Sequence, residues 1–263
     1  MSLIHFSKLK KTHALITGAG KGIGRATALE LSEHVGQLTL IARQPSFLRE
    51  VQSLTQKNCD VQFFECDITQ EEEVKQTFQL ARQNFGPIGV LVNNAGQASS
   101  ASFQKTTLKD WQAMLNVNLT GTFLCTQACI EDMLQMPFAR VINIASTAAQ
   151  KGYPYVSAYT AAKHGVLGLT RSLALEYAKT AVTFNAICPG FTDTDIVTES
   201  LKTIAQKTQL SQDEARAQLI KNNPQKRLID PSEIAQQVLW LCHDRSQSIN
   251  GQALSVSGGE VMS

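Results

Sequence analysis

Short apolar runs alternate with longer stretches of helical spacing from one end of the chain to the other. Ala14-Leu15-Ile16-Thr17 is such a run, and it leads into glycines, as a strand followed by a tight turn does. Residues 23–33 then place Ile23, Ala26, Thr27 and Leu31 on one side of a helix. Further strands are expected at 38–41, 61–64, 88–92, 140–144, 182–187 and 253–256. Helices are expected at 47–57, 71–84 (capped near Thr69), 108–135, 157–178, 201–219 and 231–242, the last with Pro231 near its start. Strands alternating with helices imply right-handed crossovers and a parallel sheet covered on both faces. No linker, repeat or low-complexity tract interrupts the rhythm. The pattern predicts an α/β fold: a single doubly wound domain over residues 1–263, with a parallel seven-stranded sheet and helices on both faces.

Composition is consistent with this. Hydrophobic residues make up 43% and charged residues 17%, enough apolar material for a large core. A net charge of +2 demands neither nucleic acid nor an anionic membrane as partner. The six cysteines form no CxxC pair. Cys125 and Cys129 lie one helical turn apart, but no His or second Cys pair accompanies them, so the spacing reads as buried thiols and no metal site. The set reads as reduced and intracellular. The first apolar run is too short for a signal peptide or a membrane span, so a soluble cytoplasmic protein is expected.

Chemistry enters at the turns. Thr17-Gly18-Ala19-Gly20-Lys21-Gly22-Ile23-Gly24 joins the first strand to the first helix. Glycines there let a pyrophosphate approach backbone N–H groups, and the helix N-terminus adds partial positive charge. Asn93-Asn94-Ala95-Gly96 follows the fourth strand. Ser146 follows the fifth, with Tyr159 thirteen residues later and Lys163 four further on. Tyr159 and Lys163 therefore share one face of a helix. A free phenol titrates near ~10, too high for acid–base work at neutral pH, and an adjacent cation lowers that value. A tuned Tyr159 can give a proton to a carbonyl oxygen that Ser146 also holds. Each feature alone also reads as ordinary turn or helix chemistry.

Taken in order, these motifs resemble the short-chain dehydrogenase/reductase family over nearly the whole chain, which implies a Rossmann-type fold and nicotinamide chemistry. The resemblance implies a catalytic set of Asn118, Ser146, Tyr159 and Lys163. In it Asn118 holds a proton-relaying water and Lys163 also binds the nicotinamide ribose. It implies a cofactor site built from Gly18, Gly20, Lys21, Gly22, Ile23, Gly24, Arg43, Asp67, Ile68, Asn94, Ala95, Gly96, Tyr159, Lys163, Pro189, Gly190 and Thr192. Asp67 would contact the adenine, and the loop at Pro189, Gly190 and Thr192 would close over the nicotinamide. A substrate lid over residues 193–223 and a homotetramer are the family expectations.

Two choices are finer. Family members selective for NAD carry an acid where this chain has Ala42, and Arg43 follows, suited to a 2′-phosphate. With Lys21 nearby, NADP (as NADPH) is expected over NAD. The text around Ser157-Ala158-Tyr159 and Cys188-Pro189-Gly190-Phe191 resembles 3-oxoacyl-thioester reductases and polyketide ketoreductases. Arginines that dock an acidic carrier protein in those enzymes are absent at Pro137 and Thr180, which favours CoA, although Arg140, Arg171 or Lys179 could substitute. The lid carries Lys202, Lys207 and Lys221, suited to CoA phosphates or merely to a soluble surface. The expected function is NADP-dependent reduction of a 3-oxoacyl thioester, a small-molecule substrate. The alternatives are a relative acting on a sugar, cyclic alcohol, steroid or quinone, and a non-catalytic NADP-binding regulator.

Overall fold

The computed structural model describes residues 6–209 and 211–262, with side chains of 203–208 left aside. Leu210 and the side chains of Ile204 and Lys207 thus lie outside the described residues. Seven strands form one sheet: β1 (His13–Thr17), β2 (Gln37–Ala42), β3 (Asp60–Glu65), β4 (Ile88–Asn93), β5 (Ala139–Ile144), β6 (Val182–Pro189) and β7 (Ala253–Val256). Their order is β3-β2-β1-β4-β5-β6-β7, and every pairing is parallel. The order reverses beside β1, which opens a crevice at the strand C-termini where dinucleotides bind in such sheets.

The helices are α1 (Gly22–Ser32), α2 (Pro45–Thr55), α3 (Glu71–Phe85), α4 (Leu108–Leu115), α5 (Gly121–Leu134), α6 (Ser157–Glu176), α7 (Asp195–Thr208), α8 (Gln212–Leu219) and α9 (Pro231–Leu241). Successive strand residues point to opposite faces, and both faces are buried. Ala14 and Ile16 pack with Ala28 and Leu31 of α1, Leu48 and Val51 of α2, and Ile234 and Val238 of α9. Leu15 and Leu91 pack on the other face with Val74 and Phe78 of α3 and with Leu124, Cys125 and Cys129 of α5. All six cysteines are free, and the described residues contain no cluster suited to a metal ion. Burial pushes the Cys125 and Cys129 thiols up, as expected of inert core residues. No described helix is long and apolar enough to cross a membrane.

Three local expectations need correction. The stretch at 108–135 is helical throughout, but a π-helical turn at Asn116–Thr120 separates α4 from α5. The helix expected at 201–219 is two helices. Gln209 adopts the left-handed conformation (φ 58°) at the end of α7, and Ser211 opens α8 with a capping box to Glu214. The cap of α3 is Gln70, because Thr69 instead donates its N–H and hydroxyl to Asp67 Oδ1.

His13 gives the fold an acid-sensitive point. Its side chain is buried between Gly86 O (2.9 Å) and Thr39 Oγ1 (2.7 Å), and Gln62 Nε2 donates to the same threonine oxygen at 2.8 Å. A neutral ring fits this network: Nδ1–H donates to Gly86, and Nε2 accepts from Thr39. Burial lowers the His13 pKa from 6.5 to about 4. Between those values the unfolded chain binds a proton that the folded chain refuses. The stability from neutral His13 is therefore complete above pH 6.5 and is lost as pH falls to about 4, by roughly 3 kcal/mol. Urea midpoints across this range should slope upward with pH in wild type and flatten in His13→Gln. Equal slopes for the two proteins would exclude His13 as the source.

Candidate active site

The C-terminal end of β1 is clamped to the end of β4. Thr17 Oγ1 accepts the N–H groups of Asn94 (3.1 Å) and Ala95 (3.0 Å), while Asn94 Nδ2 donates to Thr17 O and Gly18 O, both at 3.0 Å. One residue back, Asn93 Nδ2 donates to Asn143 Oδ1 (2.9 Å) and Thr126 Oγ1 (3.0 Å), and Asn143 Nδ2 donates to Thr170 Oγ1 (2.8 Å). This buried polar ladder ties β4 and β5 to α5 and α6, and the sequence reading missed Thr17, Asn143 and Thr170.

The glycine turn is shaped by close approach. Gly18 has φ +65°, and a Cβ there would stand 2.8 Å from Ala95 Cα. A Cβ on Gly24 would run into Gly18 O and Asn94 Nδ2. Lys21 is the N-cap of α1 in extended conformation, with no side-chain cap and no acid in the first turn. The N–H groups of Gly22, Ile23 and Gly24 thus begin a helix whose dipole favours an anion. Lys21 itself pairs with Asp195 at the start of α7 (2.9 Å) and lies 3.9 Å from the Phe47 ring centroid. Arg43 is exposed just beyond β2, and Ala42 ends that strand. These residues fit the pyrophosphate and adenosine ribose of a dinucleotide. Asp67 is oriented by its bonds from Thr69 at 2.8–2.9 Å, whereas the Ile68 side chain belongs to the core.

The reactive side chains meet beyond β5. Ser146 Oγ accepts from Ala148 N at 3.0 Å, and Ser146 lies near enough to the Tyr159 phenol to oppose the rise in its pKa. Lys163 is buried; its Nζ donates to Ile144 O at 2.9 Å and lies 5.7 Å from the Tyr159 ring centroid. A Cβ on Gly96 would be 2.8 Å from Asn118 Oδ1 and 3.6 Å from Lys163 Nζ, so the glycine, the asparagine and the lysine adjoin. Asn118 is turned inward by the π-helical turn, and Nδ2 donates to Gln97 O (2.9 Å) and Met114 O (3.0 Å). Gln97 was not anticipated. Burial lowers the Lys163 pKa to about 8, still above neutrality. Lys163 does not lower the Tyr159 pKa: burial pushes the phenol up, Ser146 opposes this only in part, and the hydrogen bond described for Lys163 goes to Ile144 O.

The loop after β6 is fixed from below. Gly190 N donates to Val256 O (3.0 Å), and Thr192 Oγ1 donates to Gly190 O (3.0 Å). Phe191 and Asp193 exchange backbone bonds with Ile229, both at 2.9 Å. Pro189, Gly190 and Thr192 thus stand at the C-terminal edge beside the other predicted residues.

Comparison with known proteins agrees with this architecture. A family model described as short chain dehydrogenase matches residues 12–205. The chain is 37% identical to a 3-oxoacyl-[acyl-carrier-protein] reductase of Synechocystis, covering 95% of this chain and 96% of the relative. It is 34% identical to an acetoacetyl-CoA reductase of Shinella zoogloeoides, covering 94% and 97%. Among solved structures it is similar to a variant of actinorhodin polyketide ketoreductase with NADPH, with a TM-score of 0.90, 32% identity, and coverage of 95% and 97%. The chain therefore belongs to the short-chain dehydrogenase/reductase family, and it is a nicotinamide-dependent oxidoreductase.

Proposed function

We propose that the protein reduces a 3-oxoacyl thioester to its 3-hydroxyacyl form with NADPH. The observation that carries the chemistry is the convergence of Ser146, the buried Tyr159 phenol and Lys163, whose Nζ lies 5.7 Å from the Tyr159 ring centroid. A bound nicotinamide supplies the hydride to the carbonyl carbon. Tyr159 donates its hydroxyl proton to the carbonyl oxygen, and Ser146 holds that oxygen in place. The raised Tyr159 pKa keeps the proton on the phenol at neutral pH. Lys163, charged below pH 8, favours the phenolate left behind. Asn118 orders the path by which a proton returns.

NADP is supported by Arg43, an exposed cation with no ion-pair partner among the described residues, and by Ala42 in place of an acid. Arg43→Asp should weaken NADPH and improve NADH relative to it, since a carboxylate repels a 2′-phosphate and accepts from a 2′-hydroxyl. Competition between equal concentrations of the two cofactors measures this. A wild-type preference for NADH would remove Arg43 from the assignment.

The thioester is supported by the names of the two relatives. CoA is favoured over a carrier protein because docking arginines are absent at Pro137 and Thr180; of the three cations that could replace them, Arg140 is buried and only Arg171 and Lys179 are exposed. Lys202 of the lid is exposed but pairs with Glu199 at 2.8 Å. Turnover with acetoacetyl-CoA, a carrier-linked analogue, simple ketones and quinones, each with NADPH, tests the reading. Reduction of ketones or quinones with neither thioester used would overturn it.

A further inference from the structure

A second polar cluster, which the proposed proton transfer does not use, adjoins the Ser146 loop. Tyr153 Oη lies 2.7 Å from Thr147 Oγ1 and 2.7 Å from Glu260 Oε1, and Lys151 Nζ lies 3.1 Å from the same carboxylate oxygen. A carboxylate only accepts, so Tyr153 donates to Glu260 and Thr147 donates to Tyr153. The Glu260 side chain is 1% exposed although it comes from the chain terminus, beyond β7. It is delivered there by a turn in which Gly258 and Gly259 have φ of +62° and +90°.

The cluster joins three segments. Thr147 is the neighbour of Ser146. A Cβ on Gly190 would stand 3.5 Å from Glu260 Oε2, which places the carboxylate against the loop after β6. The Tyr153 ring meets Phe191 of that loop edge-on, with centroids 6.3 Å apart. A buried carboxylate held by one phenol and one ammonium is costly to bury and costly to break, so its retention fixes relative position.

We infer that Glu260 is a positioning residue for ketone binding: through Tyr153 and Thr147 it sets the Ser146 loop against the loop after β6. The C-terminal segment is then a wall of the substrate site. This rests on the assignment of Ser146 and Tyr159 made above.

The test uses the full-length protein and a ketone that wild type reduces. Glu260→Ala should raise KM for the ketone by about tenfold with kcat changed less than about threefold, because a displaced loop misplaces the substrate before it alters the proton donor. Tyr153→Phe should reproduce that effect, and the double variant should be no worse than either single one, because the two residues act as a unit. A residue that merely supports the fold would lower Tm without moving KM. Wild-type KM in Glu260→Ala, or losses that multiply in the double variant, would overturn the inference. Should Glu260→Ala fail to fold, Tyr153→Phe alone decides, with an unchanged KM counting against it. Tyr159→Phe measured alongside separates the two layers. If that variant loses turnover while Glu260→Ala behaves as wild type, only the present inference fails. If Tyr159→Phe keeps its turnover, the acid assignment fails first.

Discussion

Tyr159→Phe is expected to slow ketone reduction by ~10²–10⁴-fold, the range for losing a positioned general acid. The substitution keeps the ring that packs at the start of α6 and removes only the hydroxyl that meets Ser146. The glycine turn, the Asn94 clamp and Arg43 are untouched, so NADPH binding should largely persist when titrated by fluorescence. Single-turnover reduction then isolates the chemical step from product release. The pH profile gives a second reading. Burial brings deprotonation of Lys163 down to about pH 8, so the wild-type reduction rate should fall as pH rises through that value. Near-normal single-turnover rates in Tyr159→Phe would take the proton donor away from this residue.

The second large effect is on stability. Arg140→Ala should cost about 3–5 kcal/mol, seen as a lower urea midpoint at unchanged slope. Arg140 is 1% exposed, yet among the described residues it makes no ion pair. Its guanidinium donates instead to Ala139 O (2.9 Å), Leu241 O (3.1 Å), Gln247 Oε1 (3.1 Å), Ala181 O (3.4 Å) and His243 O (3.4 Å). It also covers the Phe138 ring at 4.1 Å. Carbonyl dipoles at the C-terminal end of α9 stand in for a counter-charge. Removing the side chain opens a cavity and takes a charged donor from five oxygens at once, although Ala181 O keeps Gln247 Nε2 and His243 O keeps the Ser246 N–H. Lysine keeps the charge but lacks the planar fork, so Arg140→Lys should recover only part of the loss. A cost under about 1 kcal/mol for Arg140→Ala would mean that water replaces the guanidinium without penalty.

Much of this architecture was legible because its signals are local. Each strand is an apolar run bounded by turn residues, and the seven predicted strands match those found to within two residues at either end. Ser146, Tyr159 and Lys163 could be gathered from a strand end and helical spacing, whereas Asn118 came only from the family resemblance. The single helix expected at 201–219 failed where the pattern is polar: without an apolar stripe, the break at Gln209 left no mark in the periodicity. The sequence Ser211-Gln212-Asp213-Glu214 was the available signal for a new helix start. The π-helical turn at Asn116–Thr120 has no such mark, since it adds a residue to a bond pattern rather than changing residue type. Arg140 reads as a surface cation from sequence because its cage is made mostly of main-chain oxygens, some of them a hundred residues away. Tyr153 and Glu260 are likewise separated by 107 residues and meet only in the folded chain.

The packing of α1 against α9 bears on when in synthesis the cofactor can first be held. The glycine turn at residues 18–24 precedes α9 in the chain, so a ribosome releases it first. The helix that follows it packs against α9, made of residues 231–241, and shares one core with Ile234 and Val238. Until that late segment emerges, α1 is covered only by β1, β2 and α2, and one side of the helix behind the turn is left without its partner. β1 also waits for β4, more than seventy residues downstream, to fill its second edge. Contacts of such long separation make folding slow and cooperative. A nucleotide held at that turn would therefore stabilise the finished chain more than its nascent N-terminal half.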